Sequence, residues 1–489
     1  MPDLFIDGAW IAASSGETSE VVNPSDQSVV ATVDVATPED VDRAVAAARR
    51  AFDTSDWPWL PPAERAAILE RTASLLERDA EAIAMAETLN TGKALRETRY
   101  DVSDVVNVFR YYAQLADKEA GRLVATGSPD AISRIVYEPL GVCALISPWN
   151  YPLLQISWKV APAIAAGCTM VVKPASVTPL STIAMIRCLE EAGVPAGVVN
   201  LVLGPGSRIG RQLAEHPDVD LVSLTGGIEA GRDVLRSAAE TVKRVALELG
   251  GKSPNIIFAD ADFDAAVDNA LAGAFIHSGQ SCSAGCRVIV QDGIYDRFVA
   301  ELGRRAELIR LGVGTDERTE TGALISAAHR DKVEGYIRQG LEQGARLVAG
   351  GGRPTEPELA NGFFVRPTVF ADCTRDMTII RDEIFGPVVT VERFTTEDEA
   401  VTLGNDTTYG LAGAVWTSDA SRAQRVAGRL RHGTVWINEY NRYLPQAEWG
   451  GFKQSGLGRE LGPTGLDEYR EAKHIYQNTA PAPTGWFEG

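Results

Sequence analysis

From Val142 onward the sequence alternates between two periods. The apolar runs CALIS, TMVVK, VVNLVLG, DLVSLT and VKRVALEL are separated by amphipathic stretches such as STIAMIRCLEEAG and EAGRDVLRSAAE. Short apolar runs of this kind read as strands buried on both faces, and the segments between them read as helices. The pattern therefore predicts βαβ units and a mainly parallel sheet covered by helices on both sides. In such a sheet ligands sit at the carboxyl ends of the strands, where the strand order reverses. The residues just after TMVVK and DLVSLT become candidates for cofactor contact.

The flanking regions add elements. TPEDVDRAVAAARRAF carries Thr37 as N-cap, Pro38 at the first helical position and Glu39 and Asp40 in the first turn. A second helical pattern runs from Pro62 to about Leu89 and stops at Asn90-Thr91-Gly92. After Gly250 another α/β pattern begins, with a helix from about Phe263 to His277, a helix at RFVAELGRRAELI, and strands near FFVRPTVF and VVTVERF. The tail from Asn478 reads as extended. A chain of 489 residues exceeds one ordinary core, so two or more domains are expected.

Charge and cysteine usage narrow the function. A formal charge of −19 repels phosphate backbones and anionic lipids, so nucleic acid and membrane are not expected partners, although a local groove for one nucleotide is allowed. The apolar region from Ala144 to Val172 is interrupted by Asn150, Gln155 and Lys159, and MPDLFIDGAW lacks a basic segment followed by an apolar core. Six cysteines are too sparse for a disulfide framework; reduced thiols and a cytoplasmic setting are the expectation.

Two questions of chemistry follow. LGPGSRIG, with Gly204, Gly206 and Gly210, has one residue too many for GxGxxG, and a turn opening a helix explains it equally well. TGGIEAG places Gly226 and Gly227 directly after a strand and Gly231 inside the next helix, as a pyrophosphate turn or as a tight βα turn. Lys173, before Pro174, stands at the sheet's carboxyl edge, as a ligand contact or as a solvated strand end. HSGQSCSAGC holds Cys282, Cys286 and His277. A metal site lacks a second ligand cluster, and a Cys/His dyad lacks a supporting Asn or Asp motif. A lone nucleophilic thiol at Cys282 and a buried inert cysteine both remain, with a cofactor-free thiol hydrolase as a remote alternative. Glu248, before two glycines in ELGGK, is a mobile carboxylate or an ordinary solvated one.

ISPWNYP, MVVKP, LTGGIEAG, ELGGKSPNII, GQSCSAG, EIFGPV and WGGFKQSGLGREL occur in this order, and together they resemble the aldehyde dehydrogenase superfamily over essentially the whole chain. The resemblance implies an α/β fold with a Rossmann-like NAD(P)-binding domain (1–118 and 140–250), an α/β catalytic domain (251–454) and a small β oligomerisation element (119–139 and 468–489) of a homodimer or homotetramer. It implies oxidation of an aldehyde to its carboxylate. Cys282 is the matching nucleophile, forming a thiohemiacetal and then a thioester; Asn150 joins the Cys282 backbone N–H in an oxyanion hole, and Glu248 activates water. Lys159 and Glu460 match proton-relay residues. Ser147, Trp149, Lys173, Ser176, Gly206, Gly210, Gly226, Gly227, Gly231, Leu249, Glu383 and Phe385 fall at cofactor positions, and no metal is implied.

Two positions depart from the family pattern. Ser176 stands where many NAD-selective members carry glutamate, so a 2′-phosphate is not repelled and NAD or NADP is expected. Gly227 replaces a common serine. Tyr151, Trp158 and Trp449 resemble the aromatic box of betaine-aldehyde and aminoaldehyde dehydrogenases, with Ile276 at the fourth position, and Tyr443 and Glu448 are further candidates. An apolar tunnel for aliphatic or aromatic aldehydes is the alternative.

Overall fold

In the computed structural model, which describes residues 3–118 and 121–487, the predicted parallel sheet is present. Residues 1, 2, 119, 120, 488 and 489 of the expected domain ranges lie outside the described residues. The strands Val142–Ile146, Thr169–Lys173, Val199–Leu201, Leu221–Thr225 and Arg244–Glu248 pair in parallel. The first four are buried along their whole length, as strands covered on both faces must be. Antiparallel edges complete an eight-stranded sheet: Leu4–Ile6 and Ala9–Ile11 on one side, Gly456–Leu457 on the other. Val142–Ile146 lies between Thr169–Lys173 and Leu221–Thr225, so the strand order reverses there.

A second, seven-stranded sheet is parallel except at the pair Arg346–Ala349 and Thr368–Ala371. Its centre is Arg287–Gln291, between Pro254–Ile257 and Val388–Phe394. A three-stranded antiparallel sheet joins Arg122–Val124, Ala131–Pro139 and Arg470–Asn478. The whole is a mixed α/β fold with a Rossmann-like sheet.

Local chemistry explains the helix ends. Thr37 caps the helix Pro38–Thr54 in a reciprocal capping box with Asp40. The helical pattern from Pro62 divides into Pro62–Arg78 and Ala80–Thr91, because Asp79 is non-helical; the second helix stops at Gly92, which takes φ +78°. The expected helix to His277 ends at Phe275 and tightens into a 3-10 turn, with His277 and Ser278 at φ +51° and +52°. Of FFVRPTVF only the last three residues are strand, the start of Thr368–Ala371. LGPGSRIG contains a π-helical turn over Gly206–Gly210. Every residue of the helix Pro152–Ala166 is buried, including Trp158 and Lys159, so this helix runs through the interior between the sheet and the N-terminal helices.

Candidate active site

The turn that carries Cys282 leads into a strand of the second sheet and is met by a loop of the first. Cys282 lies between the 3-10 turn and the strand Arg287–Gln291, and the Ala284 N–H donates to the Ser281 carbonyl at 3.1 Å, closing a tight turn around it. Cys282 is half-buried and lines a cavity of about 620 Å³. Asn150, at the end of the segment after Val142–Ile146, donates through Nδ2 to the Gln280 carbonyl at 2.8 Å. That bond ties the loop of the first sheet to the residue two before the thiol and leaves the second amide hydrogen for another acceptor.

Glu248 ends its strand, paired with Thr225 on one side and Gly456 on the other. The two glycines after it are close-approach residues. A Cβ at Gly251 would stand 2.6 Å from the Cys282 carbonyl, and one at Gly250 would overlap the Glu383 carboxylate. The Gly251 N–H donates to Glu383 at 3.0 Å. ELGGK thus places a carboxylate, the Cys282 backbone and Glu383 in one neighbourhood.

Electrostatics follow from burial. The Cys282 thiol is pushed up to about 12 by burial and by the negative fields of Glu248 and Glu383. Burial and the charge of Glu460 hold Glu248 well above the usual carboxylate range. Glu460 forms a buried ion pair with Lys159, whose ammonium also donates to Ser223 at 3.0 Å. Among the described residues, Glu248 Oε2 and Glu460 Oε2 have no hydrogen-bond partner. Removing one partner of such a pair costs roughly 3–5 kcal/mol, which makes Lys159 and Glu460 a matched set.

The cofactor positions cluster at the carboxyl edge of the first sheet, where its strand order reverses. Lys173 is fully buried and its ammonium donates only to the adjacent Pro174 carbonyl, at 2.9 Å. Burial lowers it to about 8. Ser147, also buried, has an unpartnered hydroxyl. Gly227 precedes the helix Ile228–Ala238, and nothing lies within 4 Å of where its side chain would be. Gly206 is equally open, and Gly210 faces the Lys173 stem. Gly231 differs: its missing side chain makes room for Leu249, so these two pack against each other. Ser176 is half-buried in the turn after Lys173. An open glycine turn at a helix N-terminus, an ammonium and a free hydroxyl fit a dinucleotide. Farther along, Phe385 takes φ +60° and its ring stands 5.3 Å from that of Trp149.

The substrate side is aromatic and acidic. Tyr151, Trp158, Tyr443 and Trp449 line the cavity beside Cys282. Trp449 lies 4.9 Å from Tyr443 and 6.2 Å from Trp158, ring to ring. Ile276 also lines it, and Tyr443 supplies the further ring; Glu448 instead accepts from Thr464.

Several residues here carry no motif. Glu97, Asp101 and Asp104 line the cavity from the helix Leu95–Leu115. Asp101 accepts from the buried Lys93 at 2.6 Å, and the Lys93 ammonium sits 3.6 Å from the centre of the Tyr151 ring. The His277 ring stands edge-on to Tyr151 at 5.5 Å, and the His277 backbone N–H donates to Glu97 at 3.2 Å. His329 donates to the Phe385 carbonyl at 2.6 Å. The spacing of the three acids along one helix was a readable signal; His277 stood out only for its nearness to Cys282 in the chain, and His329 carried no signal. Cys286 is buried, and all six cysteines are unpaired.

Among the described residues no helix is long and apolar enough to cross a membrane, and no group of three or more His, Cys, Asp or Glu could hold a metal ion. The aldehyde dehydrogenase family model matches residues 10–475. A betaine aldehyde dehydrogenase of Bacillus subtilis (strain 168) is 55% identical over 484 residues, covering 99% of each chain. An aldehyde dehydrogenase of Emericella nidulans is 45% identical over 98% of this chain and 95% of its own. The crystal structure of a Staphylococcus aureus betaine aldehyde dehydrogenase in complex with NAD+ superimposes with a TM-score of 0.99 at 49% identity, covering 100% of this chain and 97% of that one. A point mutant of that enzyme, holding NAD+ and a BME-modified cysteine, gives a TM-score of 0.98 at 50% identity, covering 99% of each chain.

Proposed function

This chain belongs to the aldehyde dehydrogenase family, and we propose that its cavity selects an aldehyde bearing a positively charged nitrogen, betaine aldehyde or an omega-aminoaldehyde. The observation that carries this reading is the composition of the cavity wall. Trp158, Tyr443 and Trp449 offer rings, Tyr151 adds one that already carries the Lys93 ammonium, and Glu97 and Asp104 with the Lys93-paired Asp101 bring carboxyls to the same wall. A cation over a good ring face gains about 0.5–2 kcal/mol, an advantage that a neutral aldehyde does not share. Arg110 and Arg442 also reach the cavity, but Arg110 is held by Glu77 at 2.6 Å.

In this reading Cys282 gives its proton to the carboxylate form of Glu248, which passes it on to Lys159 and Glu460, and its sulfur adds to the carbonyl carbon. The new oxyanion is held by the Asn150 amide and the Cys282 backbone N–H. NAD or NADP, when bound, accepts hydride from the tetrahedral carbon, which leaves a thioester on Cys282. Lys173 and Ser176 would hold its adenosine ribose, Gly226 and Gly227 its pyrophosphate, and Glu383 with Phe385 its nicotinamide end. Glu248 then takes a proton from water as it attacks the thioester, releasing the carboxylate and the thiol. Lys159 and Glu460 carry that proton away from Glu248.

Residues 1–118 with 140–250 form the coenzyme unit, 251–454 the catalytic unit, and 119–139 with 468–489 the oligomerisation element of a homodimer or homotetramer. The exposed apolar side chains of the three-stranded sheet, Leu123 at 79% and Tyr476 at 58% exposure, support an assembly role.

The test is an aldehyde panel followed by reduced-nicotinamide absorbance with NAD and with NADP. Betaine aldehyde and aminobutyraldehyde are expected to exceed an uncharged aldehyde of similar length in kcat/KM. Trp449→Ala is expected to shrink that preference roughly tenfold; an unchanged preference removes the cage reading.

A further inference from the structure

The cage and the nucleophile are joined by a chain of hydroxyls that the chemistry above does not use. Ser281 and Ser283, on either side of Cys282, meet Oγ to Oγ at 3.1 Å. The segment 280–286 belongs to no strand or helix, so its position depends on what grips it from outside. Two tyrosines from the loop after the strand Thr434–Ile437 do this. Tyr440 donates to the Ser283 carbonyl at 2.9 Å, and its ring occupies the space left by the absent side chains of Gly273 and Gly285. The Tyr443 and Ser283 hydroxyls are hydrogen-bonded to each other, and both reach Asn441 Oδ1, at 3.4 and 3.3 Å.

Tyr443 therefore has two ends with different neighbours. Its ring stands 4.9 Å from Trp449 on the cavity wall, and its hydroxyl holds the residue after the thiol. Burial holds the phenol well above its ordinary value, so it keeps its proton throughout the working range.

We propose that the Tyr443 hydroxyl is a positioning residue for the nucleophile: through Ser283 it fixes the Cys282 turn relative to the aromatic cage. The inference rests on Cys282 being the attacking group. A cation seated in the cage has its carbonyl presented at a set distance from the sulfur only if cage and turn are one rigid unit. Misplacement by about 1 Å costs on the order of a hundredfold in rate.

Tyr443→Phe keeps the ring and removes the hydroxyl, and Ser283→Ala removes the hydroxyl's partner. Each is expected to lower kcat roughly tenfold or more, for betaine aldehyde and for an uncharged aldehyde alike. The inhibition constant of choline, an unreactive trimethylammonium probe of the cage, is expected to stay within about twofold, because the rings are intact. The double variant is expected to be no slower than either single one, since both cut the same link. The proposal is overturned if kcat of both single variants stays within twofold of the unaltered enzyme, if choline binding falls with kcat, or if the two losses multiply. A Cys282→Ala enzyme that still oxidises aldehyde would instead overturn the nucleophile assignment, a separate result.

Discussion

Cys282 lies beside carboxylates, and burial first, with their fields second, decides its resting form. With its thiol pushed up to about 12, it is neutral at ordinary pH and needs a base to become a nucleophile. Glu248 is raised too, by burial and by Glu460, so its protonated form persists above the usual carboxylate range and its basic form grows as pH rises. The kcat profile is therefore expected to climb with pH. Glu248→Gln should abolish the climb and cost roughly 10²–10⁴-fold in kcat; a variant that keeps a rising limb assigns it to another group. Ser176 supplies a second test at this scale. Ser176→Glu is expected to lower kcat/KM for NADP relative to NAD by roughly tenfold or more, because a carboxylate there opposes a 2′-phosphate. Cys282, Asn150, Glu248 and Glu383 were legible because each sits in a short motif. His329 and His277 were not, because their task is to hold Phe385 and Tyr151, residues far away in the chain.

The helix Leu95–Leu115 shows what an element contributes beyond its motif content. Glu97, Asp101 and Asp104 follow helical spacing and face one way, and Lys93, just before the helix, is buried between Asp101 and Glu87. Burial pushes Glu97 up to about 7 and Asp104 up to about 6. A carboxyl raised in the folded state favours folding at low pH. Its contribution is complete below the unfolded value near 4.5 and is lost as pH rises through about 7. Glu97→Gln retains an acceptor for the His277 N–H and removes the charge. Melting temperature measured from pH 4 to 8 should fall less steeply in this variant than in the parent, leaving it a few degrees more stable at pH 8. KM for betaine aldehyde should rise at the same pH, since the cavity wall has lost a negative charge. Equal slopes in the two proteins would mean that Glu97 is not protonated in the folded state. The break at Asp79 shows the opposite limit: apolar periodicity continues smoothly across it, and only the packing of two separate helices makes the interruption visible.

At the scale of the whole molecule, the C-terminal segment ties the sheets together. Gly456–Leu457 adds an edge to the first sheet, Glu460 reaches Lys159 in the central helix, and Arg470–Asn478 pairs with Ala131–Pro139. Arg244 grips the carbonyls of Asp467, Glu468 and Arg470 on the way. Truncation after Tyr469 is expected to leave Ala131–Pro139 with only one of its two partner strands and an open edge, and to disrupt the proposed assembly, measured by light scattering; truncation after Asn478 should preserve it. An unchanged mass after the longer deletion would remove the oligomerisation role of this strand. By itself the sequence determined the alternating strands and helices of the parallel sheet, the Thr37 cap and which residues sit in motifs, because periodicity, capping and glycine geometry act between residues that are close along the chain. Which motif faces which was decided only by the tertiary structure. Asn150 meeting Gln280, Lys159 meeting Glu460, three acids from an N-terminal helix entering the cavity of Cys282, and Tyr443 gripping Ser283 all depend on contacts across more than a hundred residues, and those arise from how the two sheets and the buried helix pack together.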